Sequence, residues 1–168
     1  MKLSEFSACM RGDVFGTKLI TASPRETLTS VALRMQEHNV GAVVIVEGHK
    51  PVGIVTDRDL GLSLALHGGN VVPEDPVRDV MTTPVRTIPE GAGVFAATQC
   101  LRDAGVRRLP IVDAEGRLVG IISMDDVVRL LGRELHNLGE GIKPTEAIKA
   151  GDLLRSVTQG GRAPAAQQ

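Results

Sequence analysis

Two short segments carry the side chains best placed to do chemistry. Gly53-Ile54-Val55-Thr56-Asp57-Arg58-Asp59 and Gly120-Ile121-Ile122-Ser123-Met124-Asp125-Asp126 each set a hydroxyl and a carboxylate three residues apart, after a glycine-led apolar run. At the mouth of a helix this spacing makes a capping box. Thr56 or Ser123 accepts from the exposed amides, and Asp59 or Asp126 reaches back to the N–H of the cap residue. The same place can also hold a ligand. Unpaired N–H groups and the positive end of the helix dipole favour polar or anionic groups there. A carboxylate can accept two hydrogen bonds from a vicinal diol, which is how an acid holds a ribose. The glycine before it admits close approach of another backbone or a flat ring. Cap and nucleoside site are compatible, and the residues alone leave both open.

Cations sharpen the second reading. Val106-Arg107-Arg108-Leu109-Pro110 runs into an apolar strand, where a guanidinium must be solvated or paired with an anion. Were both segments to line one cleft, Arg107 and Arg108 would meet phosphates. Arg58 is a third candidate, with a surface ion pair as its alternative. The matching stretch Val40-Gly41-Ala42-Val43-Val44 supplies no charge.

The segments match because the chain says the same thing twice. A stretch from Asp13 to near Leu66 recurs from Asp79 to near Arg133. Thr17 and Thr21 fall opposite Thr83 and Thr87, and Val40, Ile45 and Val46 opposite Val106, Ile111 and Val112. After a one-residue difference in a turn, Thr56 and Asp59 meet Ser123 and Asp126. Duplication predicts two half-domains packed about a pseudo-twofold axis, with paired clefts where they meet.

Each copy reads strand, helix, strand, strand, helix. The first gives Leu19–Ala22, a helix with Leu28, Val31, Ala32 and Met35 on its apolar face, strands Val43–Val46 and Val52–Val55, and a helix over Asp57–Leu66. The second gives Val85–Ile88, a helix through Val94, Ala97, Leu101 and Ala104, strands Leu109–Val112 and Leu118–Ile122, and a helix from Met124. Turns fall at Glu47–Pro51 and Asp113–Gly116. The expected organisation is a lead-in helix over 1–12 bearing Leu3, Phe6 and Met10, repeats over 13–66 and 79–135, and a breaker-rich linker over 67–78. A helical extension over 136–158 and a disordered tail over 159–168 complete it.

Composition bounds the function. The chain has 168 residues, 42% of them hydrophobic, enough for one shared core. A net charge of −1, no Trp, no Tyr and three Phe give neither the basic excess nor the stacking faces of a nucleic-acid binder. The apolar runs fall far short of the roughly 20 residues that span a bilayer, and no signal-peptide pattern opens the chain. The expectation is cytoplasmic. Cys9 and Cys100 have no neighbours at metal spacing, and His38, His49, His67 and His136 are scattered, so no metal is expected. No arrangement of nucleophile, base and orienting acid suggests an enzyme.

With these residues in view, the chain over about 13–135 resembles a stand-alone tandem pair of cystathionine-β-synthase (CBS) domains, a Bateman module. The resemblance rests on Thr21 and Thr87, on Gly41-Ala42 and Arg107-Arg108-Leu109-Pro110, and on the two Gly-x-x-Thr/Ser-x-x-Asp segments. It implies an α/β (α+β) fold of two β-α-β-β-α repeats with adenosine-ligand sites in the clefts between them. Carried over by position, Asp59 and Asp126 hold ribose hydroxyls, with Thr56 and Ser123 nearby. Backbone around Val40, Gly41 and Ala42 and around Val106, Arg107 and Arg108, ahead of Pro110, frames adenine. Arg107 and Arg108 meet phosphates. Gly41-Ala42 departs from a basic pattern, which implies unequal sites.

The implied function is a regulatory, non-enzymatic module that binds AMP, ADP or ATP, forms a homodimer and acts on a partner protein. NAD or S-adenosylmethionine as ligand, or a structural module with empty clefts, are the alternatives.

Overall fold

The computed structural model describes residues 2–3, 18–66 and 71–141. Residues up to Leu130 belong to one compact unit, and a second begins at Leu131. The expected helix through Phe6 and Met10, the segment 144–158 and the tail 159–168 lie outside the described residues.

The first repeat runs β1 (Thr21–Ala22), α1 (Leu28–His38), β2 (Ala42–Glu47), β3 (Lys50–Thr56) and α2 (Asp57–Leu66). The second runs β4 (Ile88–Pro89), α3 (Val94–Ala104), β5 (Arg108–Val112), β6 (Leu118–Ser123) and α4 (Met124–Gly141). Each repeat holds a three-stranded sheet in chain order, the first pair parallel and the second antiparallel. The duplication extends to hydrogen-bond register. Ala42 faces Thr56 as Arg108 faces Ser123, and both hairpins shift register at the equivalent place, at Ile45/Val46 and at Ile111/Val112.

Local chemistry sets the boundaries. Helix α1 starts at Thr27, whose hydroxyl accepts from the Ser30 N–H at 3.1 Å, and ends at Asn39 in the left-handed region at φ 51°. The equivalent stop in α3 is Gly105 at φ 63°. Either residue tolerates positive φ, so the amide can turn back onto the last carbonyls. The first hairpin closes through Gly48 and His49, both at positive φ, as a tight two-residue turn requires. Strand β3 therefore begins at Lys50, inside the span expected as turn.

Two apolar clusters follow, one per repeat. Val31, Val43, Ile45 and Val55 anchor the first, and Leu101, Leu109, Ile111 and Ile122 the second. Leu3 is fully buried in the second cluster, its N–H donating to the Ala92 carbonyl at 2.8 Å. Leu3 is thus stitched to the second repeat.

One element differs from its expectation in a way that matters. The strand expected over Val85–Ile88 is Ile88–Pro89, as the one expected over Leu19–Ala22 is Thr21–Ala22, and the backbone ahead of β4 pairs with the first repeat. Thr82 exchanges two hydrogen bonds with Ile54 on the outer edge of β3, at 2.8 and 3.2 Å, and the Thr83 hydroxyl donates to the Val52 carbonyl. Residues 81–83 therefore lie against the first repeat before the chain joins the second.

Candidate functional site

At both helix starts the capping box forms. Oδ2 of Asp59 accepts from the Thr56 N–H at 2.9 Å and from its hydroxyl at 2.8 Å, and the Asp59 N–H donates back to that hydroxyl at 3.3 Å. At the second copy Asp126 Oδ2 accepts from the Ser123 N–H at 2.8 Å and hydroxyl at 2.5 Å, with the return bond at 3.1 Å. The surroundings differ. Asp126 is 3% exposed, whereas Asp59 is half-buried and borders a cleft of about 440 Å³. That volume lies in the range of about 300–1,000 Å³ usual for small-molecule sites.

The cleft draws on both repeats. Ile54, Thr56, Asp57, Arg58 and Asp59 come from the end of β3 and the start of α2. Ala104, Val106, Arg107 and Arg108 come from the passage of α3 into β5, and Thr82, Pro84, Val85 and Arg86 from the crossing segment. Ile54, Val85 and Val106 give apolar walls able to hold a flat ring. Oδ1 of Asp59 makes no hydrogen bond among the described residues and can accept from a ligand.

Four arginines and two aspartates stand around this space. Arg107 approaches Asp125 at 3.7 Å, with both side chains largely exposed, which is a weak pair. Arg58, Arg86 and Arg108 form no ion pair among the described residues. Arg108 is half-buried, and a Cβ added at Gly41 would lie 3.3 Å from its Nη2 and from Asp57 Oδ2. The absence of a side chain at Gly41 thus leaves room for the Arg108 guanidinium against the first repeat.

Of the residues singled out in the sequence, Thr56, Arg58, Asp59, Val106, Arg107 and Arg108 meet in this cleft. Gly41 lies beside it through Arg108. Val40 and Ala42 flank Gly41 at the start of β2 without lining the cleft. Thr21 sits in β1, its carbonyl accepting from Arg34. Thr87 directly precedes β4, Pro110 is buried inside β5, and Ser123 with Asp126 caps α4 without lining this cleft. Arg86 and the segment around it were not legible as site residues. The one available signal was an unexplained arginine beside Thr87.

Gly53 has a different neighbour from the one expected. A Cβ built there would overlap the Met81 sulfur, so this glycine makes room for a side chain of the crossing segment. Gly120 is less tightly covered, by Ile111 Cδ1 at 3.3 Å from such a Cβ. Among the described residues there is no group of three or more His, Cys, Asp or Glu able to hold a metal, and no helix long and apolar enough to cross a membrane.

Comparison with known proteins follows the same outline. The family model described as CBS domain matches residues 12–61 and again residues 77–133. An uncharacterised protein of Methanopyrus kandleri is 43% identical over 121 residues, which cover 71% of this chain and 61% of that protein. The match thus spans less than two thirds of that relative's length. Among solved structures, the CBS domain pair of protein MJ0100 in complex with 5′-methylthioadenosine and S-adenosyl-L-methionine superposes with a TM-score of 0.65 at 26% identity, covering 79% of this chain and all of that one. A CBS domain protein from Pyrobaculum aerophilum complexed with AMP gives a TM-score of 0.64 at 20% identity over 79% of this chain and 99% of its own, a likeness of fold.

Proposed function

Because this chain belongs to the CBS-domain family and carries two copies of the domain in tandem, we propose that it is a regulatory module whose Asp59 cleft binds an adenine nucleotide. The observation that carries this reading is a carboxylate with one free oxygen sharing a cleft with four arginines. Asp59 takes the ribose hydroxyls, apolar walls take the ring, and Arg58, Arg107 and Arg108 take phosphate. Backbone near Gly41 and Val106 frames the base. The adenosine ligands of the MJ0100 pair support the nucleoside half of this assignment. The sign of the charge decides the rest. Clustered guanidinium groups attract phosphate and repel a sulfonium, so AMP, ADP or ATP is favoured over S-adenosylmethionine.

Regulation then works by population shift. The ligand touches both repeats, so it favours whichever arrangement of them it fits better, by that difference in affinity. A partner protein, or a second copy of the chain, reads the arrangement. Leu131, Leu135 and Leu138 lie exposed at spacings of four and three on α4, and an apolar helix face of this kind supports association.

Calorimetric titration with AMP, ADP and ATP tests the site. The loss of a charge-assisted hydrogen bond predicts that Asp59→Ala or Arg108→Ala weakens binding by about ten- to a hundredfold. Isotherms unchanged by both substitutions would remove the assignment. A turnover assay with ATP is expected to show no sustained product release.

A further inference from the structure

The duplication allows each cation of the cleft to be compared with its counterpart in the other copy. Arg107 and Arg108 correspond to Gly41 and Ala42, Arg58 to Asp125, and Arg86 to Ile20. Ile20 is 8% exposed and belongs to the first apolar cluster. None of the four arginines is therefore an inheritance of the repeated scaffold, which folds with an apolar, a small or an acidic residue at the same places. All four converge on one cleft.

Their origins differ as well. Arg58 stands on the first turn of α2, Arg107 and Arg108 at the start of β5, and Arg86 on the crossing segment that the Thr82–Ile54 pairing holds against β3. A single phosphate has three free oxygens and is satisfied by one or two bidentate guanidinium groups. Cations brought in from three separate elements exceed that demand. Three of them form no ion pair among the described residues, and four guanidinium groups against Asp57 and Asp59 leave the cleft an excess of positive charge that an anion relieves.

We infer that the Asp59 cleft selects a nucleoside polyphosphate over the monophosphate, and that Arg86 is the residue that reads the phosphates beyond the first. The inference rests on the nucleotide-binding reading above and goes further by fixing the ligand class and assigning a role to Arg86. Asp59 and the apolar walls fix the nucleoside end. Arg107 and Arg108 meet the first phosphate, and Arg86 with Arg58 meets the extension.

The test is calorimetry on the full chain at constant ionic strength, with adenosine, AMP, ADP, ATP and inorganic triphosphate as probes, using the parent protein, Arg86→Ala and Arg86→Lys. The expected result is ATP or ADP binding at least about tenfold tighter than AMP, the worth of one charge-assisted hydrogen bond. In Arg86→Ala the ratio of ATP to AMP affinity falls to near one, and Arg86→Lys restores part of it. Equal or tighter binding of AMP by the parent, or an unchanged ratio in Arg86→Ala, would overturn the inference while leaving the nucleotide site standing. Inorganic triphosphate binding as tightly as ATP would also overturn it, because the nucleoside end would then go unread. If none of the adenosine probes binds, the nucleotide-binding reading itself falls.

Discussion

Asp59 and Asp126 occupy the same place in two copies of one design and live in different surroundings. Both cap a helix through the same three hydrogen bonds, alike to within about 0.3 Å. Asp59 borders an open cleft lined by arginines, while Asp126 is buried. Backbone register and capping chemistry have been kept in both copies, since each repeat needs them to fold. The charges around the carboxylate have not. The difference teaches that capping is the shared, structural use of this motif, and that the cations around Asp59 are particular to one copy.

Removing the two carboxylates breaks the comparison most directly. Asp126→Ala removes the buried acceptor of two Ser123 hydrogen bonds, a loss of about 1–3 kcal/mol. The corresponding change at half-buried Asp59 costs about 1 kcal/mol, because water replaces the lost partner. Urea unfolding of both variants measures this. Equal destabilisation would mean that the two sites are equivalent after all. Ligand affinity is expected to rank the other way, with Asp59→Ala the more damaging.

The glycines at the head of each motif give a smaller contrast. A methyl at Gly53 collides with Met81, whose side chain must shift within the first core, at about 1–2 kcal/mol. At Gly120 the nearest atom is the terminal Cδ1 of Ile111, 3.3 Å away, and Gly120→Ala is expected to cost less than about 1 kcal/mol. Thermal or urea midpoints for the two variants decide the matter. A larger loss at Gly120 would show that Met81 is not what Gly53 accommodates.

Much of this was legible in the sequence because it is local or periodic. The helices over Asp57–Leu66 and Val94–Ala104 follow from apolar spacing and from the residues at their ends. The capping boxes follow from a hydroxyl and an acid three residues apart. Arg58, Arg107 and Arg108 could be found because they adjoin those motifs. Arg86 could not, for a physical reason. It reaches the cleft through the pairing of Thr82 with Ile54, a non-local contact between residues outside any helix and with no periodic signature. The burial of Asp126 was equally hidden, since the two motifs read alike and only tertiary packing separates them.

The smallest expected effect separates the two hairpins. The first turns tightly through Gly48 and His49. The second is organised by the Asp113 side chain, which accepts from the Glu115 and Arg117 amides and from the Arg117 guanidinium at 2.7–3.0 Å. Desolvation pulls the Asp113 carboxyl up, but the Arg117 hydrogen bonds and charge outweigh it and leave the group below its ordinary value. A carboxylate lowered on folding stabilises the protein above its unfolded pKa, and that contribution is lost as pH falls through the folded value. Asp113→Asn is therefore expected to lower the urea midpoint slightly at neutral pH, with the difference from the parent shrinking below the ordinary carboxylate range. A difference that stays constant into that acidic range would mean that the turn depends on the shape of the side chain and not on its charge.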